Sequence, residues 1–123
     1  HSFHWYVSGR SFYTLHTVFE NYYDYTTATL DEAAERLLAI GGRPVSTLKG
    51  ALELATIKEA TEKETTSEMV AAVFHDFELL KADLSKLMEL SEEEGDQGTS
   101  DFALGVKTQL EKNIWMLKAY LSE

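Results

Sequence analysis

Between Ser11 and Ile40 the chain contains neither glycine nor proline, and the stretch closes with Gly41-Gly42-Arg43-Pro44. A long run without backbone breakers, ended by glycine and then proline, predicts one long helix. Its weakest point is Thr26, Thr27 and Thr29, because β-branched residues lose side-chain freedom in a helix. The remaining breakers fall mostly at 50, 95, 98 and 105, which leaves room for further helices. Residues 47–55, TLKGALELA, open with a threonine suited to capping and predict a short connecting helix. From Thr66 to Leu90 the apolar residues Met69, Val70, Val73, Phe77, Leu80, Leu84 and Leu87 recur at three- and four-residue steps, which predicts an amphipathic helix. An acidic turn is expected over 91–101. A last helix follows from about Thr99 or Ser100, with Phe102, Val106, Leu110, Ile114, Leu117 and Leu121 on one face. His1 to Ser8 reads as the end of a preceding helix whose earlier part, with any tail, is missing. No sustained period-two alternation argues for strands. The expected class is all-α, a four-helix bundle with one short extra helix between the second and third.

The 123 residues, 44% of them hydrophobic, are enough for one domain over 1–123 with its own core and too few for two ordinary ones. The formal net charge of -10 repels nucleic-acid phosphates and anionic lipid and favours cations, metal ions included. Cysteine is absent, so any metal must be held by His, Asp or Glu. That absence is compatible with a reducing compartment, and the cytoplasm is the expected location. No apolar run approaches the length of a membrane helix, and His1 to Gly9 lack the pattern of a signal peptide.

Helical bundles can hold metals through Glu-x-x-His pairs, but none of His4, His16 or His75 has a glutamate three residues before it. A di-iron site inside one bundle is therefore not expected. The long helix does carry His16 with Glu20, and Asp31 with Glu35, each pair one helical turn apart and able to chelate. From His16 to Asp31 the rise is roughly 22 Å at about 1.5 Å per residue, so one chain cannot close both pairs on one ion. A second copy running antiparallel across a two-fold axis can, and it would create two equivalent sites. Imidazole with carboxylate suits ferrous iron, manganese or zinc, iron being the first choice. Taken alone, an acidic pair at this spacing is more often a solvated helix face, and a lone His16 more often a surface or core residue. His75, beside Asp76, is expected to be exposed.

The segment HWYVSGRSFYTLHTVFENYY, residues 4–23, followed by LDEAAERLLAIGGRPVSTLKGALELA, residues 30–55, closely resembles the Dps family. These are the DNA-binding proteins from starved cells, or mini-ferritins. The resemblance rests on His4-Trp5, Gly9, the Phe-x-x-Leu-His pattern ending at His16, Phe19-Glu20, Asp31-x-x-x-Glu35-Arg36 and the IGG-x-P run at 40–44. Beyond residue 60 it is looser. It implies a ferritin-like bundle assembling into a hollow dodecamer that oxidises ferrous iron, preferably with hydrogen peroxide, and stores ferric iron inside. It also implies that His4, His16 and Glu20 of one chain, with Asp31 and Glu35 of its two-fold mate, form the ferroxidase site. Zinc is an alternative occupant. By the same resemblance Trp5 lies against the site and supplies or quenches an oxidising equivalent; a packed aromatic is the other reading. Asp96 and Asp101, near the acidic turn, are pore candidates by resemblance, against the plainer reading of a solvated loop.

Two other functions compete with ferroxidase and iron storage. A chromatin-compacting, DNA-binding protein would need a basic tail that this acidic chain does not display. A purely structural shell would hold zinc or have a vestigial site.

Overall fold

The computed structural model describes residues 1–122 and contains five helices and no strand among them. They are α1 (Ser2–Tyr6), α2 (Phe12–Ala39), α3 (Leu48–Leu54), α4 (Thr66–Glu93) and α5 (Gln97–Leu121). None of them is long and apolar enough to cross a membrane. The chain divides into two compact units, His1–Glu64 and a second beginning at Thr65.

In the first unit α1 packs on α2, and Val7, Leu15 and Phe19 are buried. The threonines do not interrupt α2. The Thr26 hydroxyl donates to the Tyr22 carbonyl at 2.7 Å and that of Thr29 to Tyr25 at 2.8 Å, so each is satisfied within the helix. The helix stops where the glycines require. Gly41 adopts φ +91°, its amide donates to the Leu38 carbonyl, and the Gly42 amide donates to that of Leu37 at 2.8 Å. This is a Schellman closure, and it satisfies carbonyls that the helix end would otherwise leave open. Thr47 caps α3, its hydroxyl accepting from the Gly50 amide at 3.1 Å. No residue of α3 is buried; Leu48, Leu52 and Leu54 are 87%, 62% and 71% exposed.

In the second unit α4 begins with a reciprocal capping box, in which the Thr65 hydroxyl accepts from the Glu68 amide and the Glu68 carboxylate accepts from that of Thr65. The expected turn over 91–101 contracts to Glu94, Gly95 and Asp96, because α4 continues through Glu93 and α5 starts at Gln97. Gly95, at φ +71°, lets the Asp96 amide reach back to the Ser91 carbonyl at 2.7 Å. Asp96 then caps the next helix, its carboxylate accepting from the Thr99 amide and hydroxyl. So short a link makes α4 and α5 an antiparallel pair, packed together through residues including Met69, Val70, Phe77, Ala103, Leu110, Ile114 and Leu117. Each fully buried leucine among them contributes about 1.5 to 3 kcal/mol. The buried stripe of α5 is turned slightly from the expected one: Ala103 and Asn113 are buried, while Phe102 and Val106 are only half-buried.

Candidate metal centre

Gly9, at φ +92° and with its carbonyl accepting from the Phe12 amide at 3.1 Å, reverses the chain between α1 and α2. That reversal brings His4 of α1 against His16 in the second turn of α2. His4 Nδ1 lies 2.8 Å from the His16 carbonyl oxygen, and His16 Nδ1 lies 2.8 Å from the His4 carbonyl oxygen. A carbonyl only accepts, so each Nδ1 must carry the hydrogen and donate it. In the neutral ring the lone pair is then left on Nε2 of both side chains. The two rings are stacked, with centroids 3.8 Å apart and planes 16° from parallel.

Other aromatic rings surround this pair. Phe12 stacks on His16 at 4.9 Å, while Tyr23, from two turns further along α2, stands at 80° to His4 with centroids 5.2 Å apart. His1 stacks on Tyr23 at 3.9 Å. Burial, with the charges of Glu20 and Asp24 added, raises the Tyr23 phenol above its ordinary pKa. Trp5 is two-thirds exposed, and its ring contact is with His1 at 5.6 Å.

Glu20 follows His16 by one turn and is exposed, as are Asp31 and Glu35 further along the same helix. His4 and His16 are thus brought together as a pair, while Asp31 and Glu35, expected to serve the site of a second copy, lie farther along the same helix. Among the described residues, no three His, Asp or Glu side chains of the one chain form a group able to hold an ion. The chain presents two stacked imidazoles, with Glu20 one turn along α2 from His16 and, farther along the same helix, a separate carboxylate pair. In the second unit, Asp96 is engaged in capping α5, Asp101 is exposed in the early turns of that helix, and His75 is exposed as expected. The wall formed by Phe12 and Tyr23 was not anticipated from the sequence. Its signal was present in the spacing, since Phe12 precedes His16 by one turn and Tyr23 follows it by two.

A family model described as a ferritin-like domain matches residues 1–123. The chain is 48% identical to "DNA protection during starvation protein 2" of Bacillus anthracis over 100% of its own length and 84% of that protein's. Among solved structures, a Dps protein from Bacillus brevis superimposes with a TM-score of 0.97 at 43% identity, covering 99% of this chain and 82% of that one. Dps from Listeria innocua soaked with zinc superimposes with a TM-score of 0.96 at 41% identity, covering 100% and 84%. With this identity over nearly all of its length and this fold, the chain belongs to the Dps family of ferritin-like proteins.

Proposed function

We propose that this protein is a mini-ferritin that binds ferrous iron and oxidises it, preferably with hydrogen peroxide, at sites shared between two copies of the chain. The observation that carries this reading is the reciprocal bonding of His4 and His16, which fixes the tautomer of both rings and keeps both Nε2 lone pairs for a metal. A partner antiparallel to α2, with the two-fold axis crossing between Tyr25 and Thr26, places the partner's Glu35 level with His16 and the partner's Asp31 level with Glu20. Both carboxylates of the second pair then meet the histidine end in a single register. The same arrangement repeats about 22 Å away, as an isologous interface requires. The exposed apolar residues of the first unit, including Leu30, Leu38, Leu48 and Leu52, supply surface for burial between copies.

At such a site the ferrous ions are substrate. Two of them give up one electron each, the O–O bond of one peroxide breaks, and both electrons pass to its oxygens, which leave as two hydroxide ions. Because peroxide takes both electrons together, no hydroxyl radical is released. The protein groups hold the ions next to one another, and His, Asp and Glu all tolerate the ferric product. The ferric product is stored inside a hollow shell of twelve such chains, each acting as one ferritin-like domain. In this reading Trp5 stands beside the centre rather than in it, and Asp101 is the freer of the two pore candidates. Zinc, sharing the same donor preferences, is a competing occupant. The acidic charge of the chain does not favour the alternative of DNA compaction.

The test is anaerobic loading with two ferrous ions per site, followed by one peroxide per site, with the rise of ferric absorbance compared against a matched dioxygen addition. Rapid oxidation by peroxide that is lost in Asp31→Ala, with assembly retained, is the expected result. Oxidation at the protein-free rate, or a fast phase unchanged in Asp31→Ala, would overturn the reading.

A further inference from the structure

We propose that Tyr23 is a positioning residue of this centre: its ring, together with that of His16, confines the His4 imidazole to the orientation that presents Nε2 to the metal. The torsion that turns an imidazole about its bond to Cβ is soft and roughly two-fold, so a ligand histidine needs outside contacts to select one orientation. His4 has three. Its Nδ1 is tied to the His16 carbonyl at 2.8 Å, the His16 ring lies nearly parallel to it at 3.8 Å, and the Tyr23 ring stands almost perpendicular at 5.2 Å. The two rings pack against the imidazole at different angles, 16° and 80° between planes, so turning it about that bond disturbs both contacts. Tyr23 is itself held, half-buried, with His1 stacked on it at 3.9 Å. This role belongs to the flat ring and not to the phenol hydroxyl. It rests on the reading of His4 as a metal ligand.

The experiment measures binding of Co(II) alone to the assembled, metal-free protein through the visible absorption of the bound ion, in wild type, His4→Ala, Tyr23→Phe and Tyr23→Leu. Leucine keeps apolar bulk and removes the flat wall; phenylalanine keeps the wall. Wild type should bind and His4→Ala should lose the signal. Tyr23→Leu should bind about 10- to 100-fold more weakly, the usual cost of removing a group that orients a ligand. Its Co(II) spectrum should also shift, and Tyr23→Phe should restore both affinity and spectrum. A residue that merely supported the fold would change stability and leave the spectrum of the bound ion as it was. Wild-type affinity and spectrum in Tyr23→Leu would overturn the proposal, as would equal weakening in Tyr23→Phe. Failure of the wild type to bind, or unchanged binding in His4→Ala, would instead remove the underlying assignment of His4 and the proposal with it.

Discussion

Replacing His4 should loosen α1 from α2 in the absence of any metal. His4→Ala removes the Nδ1 bond to the His16 carbonyl and the stacked ring, but spares the bond from His16 Nδ1 to the His4 backbone. The lost hydrogen bond contributes about 1 kcal/mol net. The ring pair adds about another 1 kcal/mol. The local opening of α1 should therefore become about 2 kcal/mol easier, a factor of about 30 in its equilibrium constant. His4→Phe retains a ring for stacking and loses only the donor, so it should cost about 1 kcal/mol, or about fivefold. Hydrogen exchange reads this directly, because the amides of Trp5 and Val7 are bonded within the α1 turn to the carbonyls of His1 and Phe3. Measured on chelator-treated protein, their exchange should accelerate in that order, while amides in the middle of α4 stay as they were. Exchange at Trp5 and Val7 within about threefold of wild type in His4→Ala would refute the account of the histidine pair as a tether.

Two further predictions concern stability. Gly41→Ala forces a side chain into the left-handed conformation at φ +91°; with no atom within 4 Å of the new Cβ, the cost is conformational alone, about 1 to 2 kcal/mol, and should appear as a lower thermal midpoint. Burial raises the Asp76 carboxyl above its ordinary range, an effect that neighbouring His75 partly offsets. The folded state thus holds that proton more tightly than the unfolded one, and the associated stability is lost as pH rises through the raised value. Asp76→Asn should therefore have a higher midpoint than wild type at neutral pH. The difference should close below about pH 3, where the unfolded carboxyl is protonated too. An equal gap at both pH values would contradict the assignment.

The sequence disclosed the helices that end in strong local signals. Gly41 and Pro44 bound α2, and Thr47 opens α3, because these ends are set by backbone conformation and by bonds to near neighbours. The sequence overstates the turn between α4 and α5 for a related reason. Glycines at 95 and 98 look alike in sequence, yet only Gly95 turns the chain, while Gly98 sits in the first turn of α5 behind the Asp96 cap. Spacing along α2 was legible, since helical rise alone shows that His16 and Asp31 lie too far apart to share an ion within one chain. The His4 and His16 exchange was not legible: each ring is bonded to a backbone carbonyl twelve residues away, and only tertiary structure decides that. Burial of Asn113 runs against its polarity, and the structure reconciles the two through Gln109, one turn earlier, whose amide donates to the Asn113 side-chain oxygen at 3.1 Å.

The threonine hydroxyls of α2 have a consequence for any surface that this helix meets. Thr26 and Thr29 each direct their donor back into the helix, so neither hydroxyl hydrogen is left facing outward. Such a side chain can leave water without stranding its donor hydrogen, yet its oxygen still accepts from solvent while the surface is open. At these two positions the helix can meet a packing partner without stranding a donor, while keeping the wettability of a polar sequence until the contact is made.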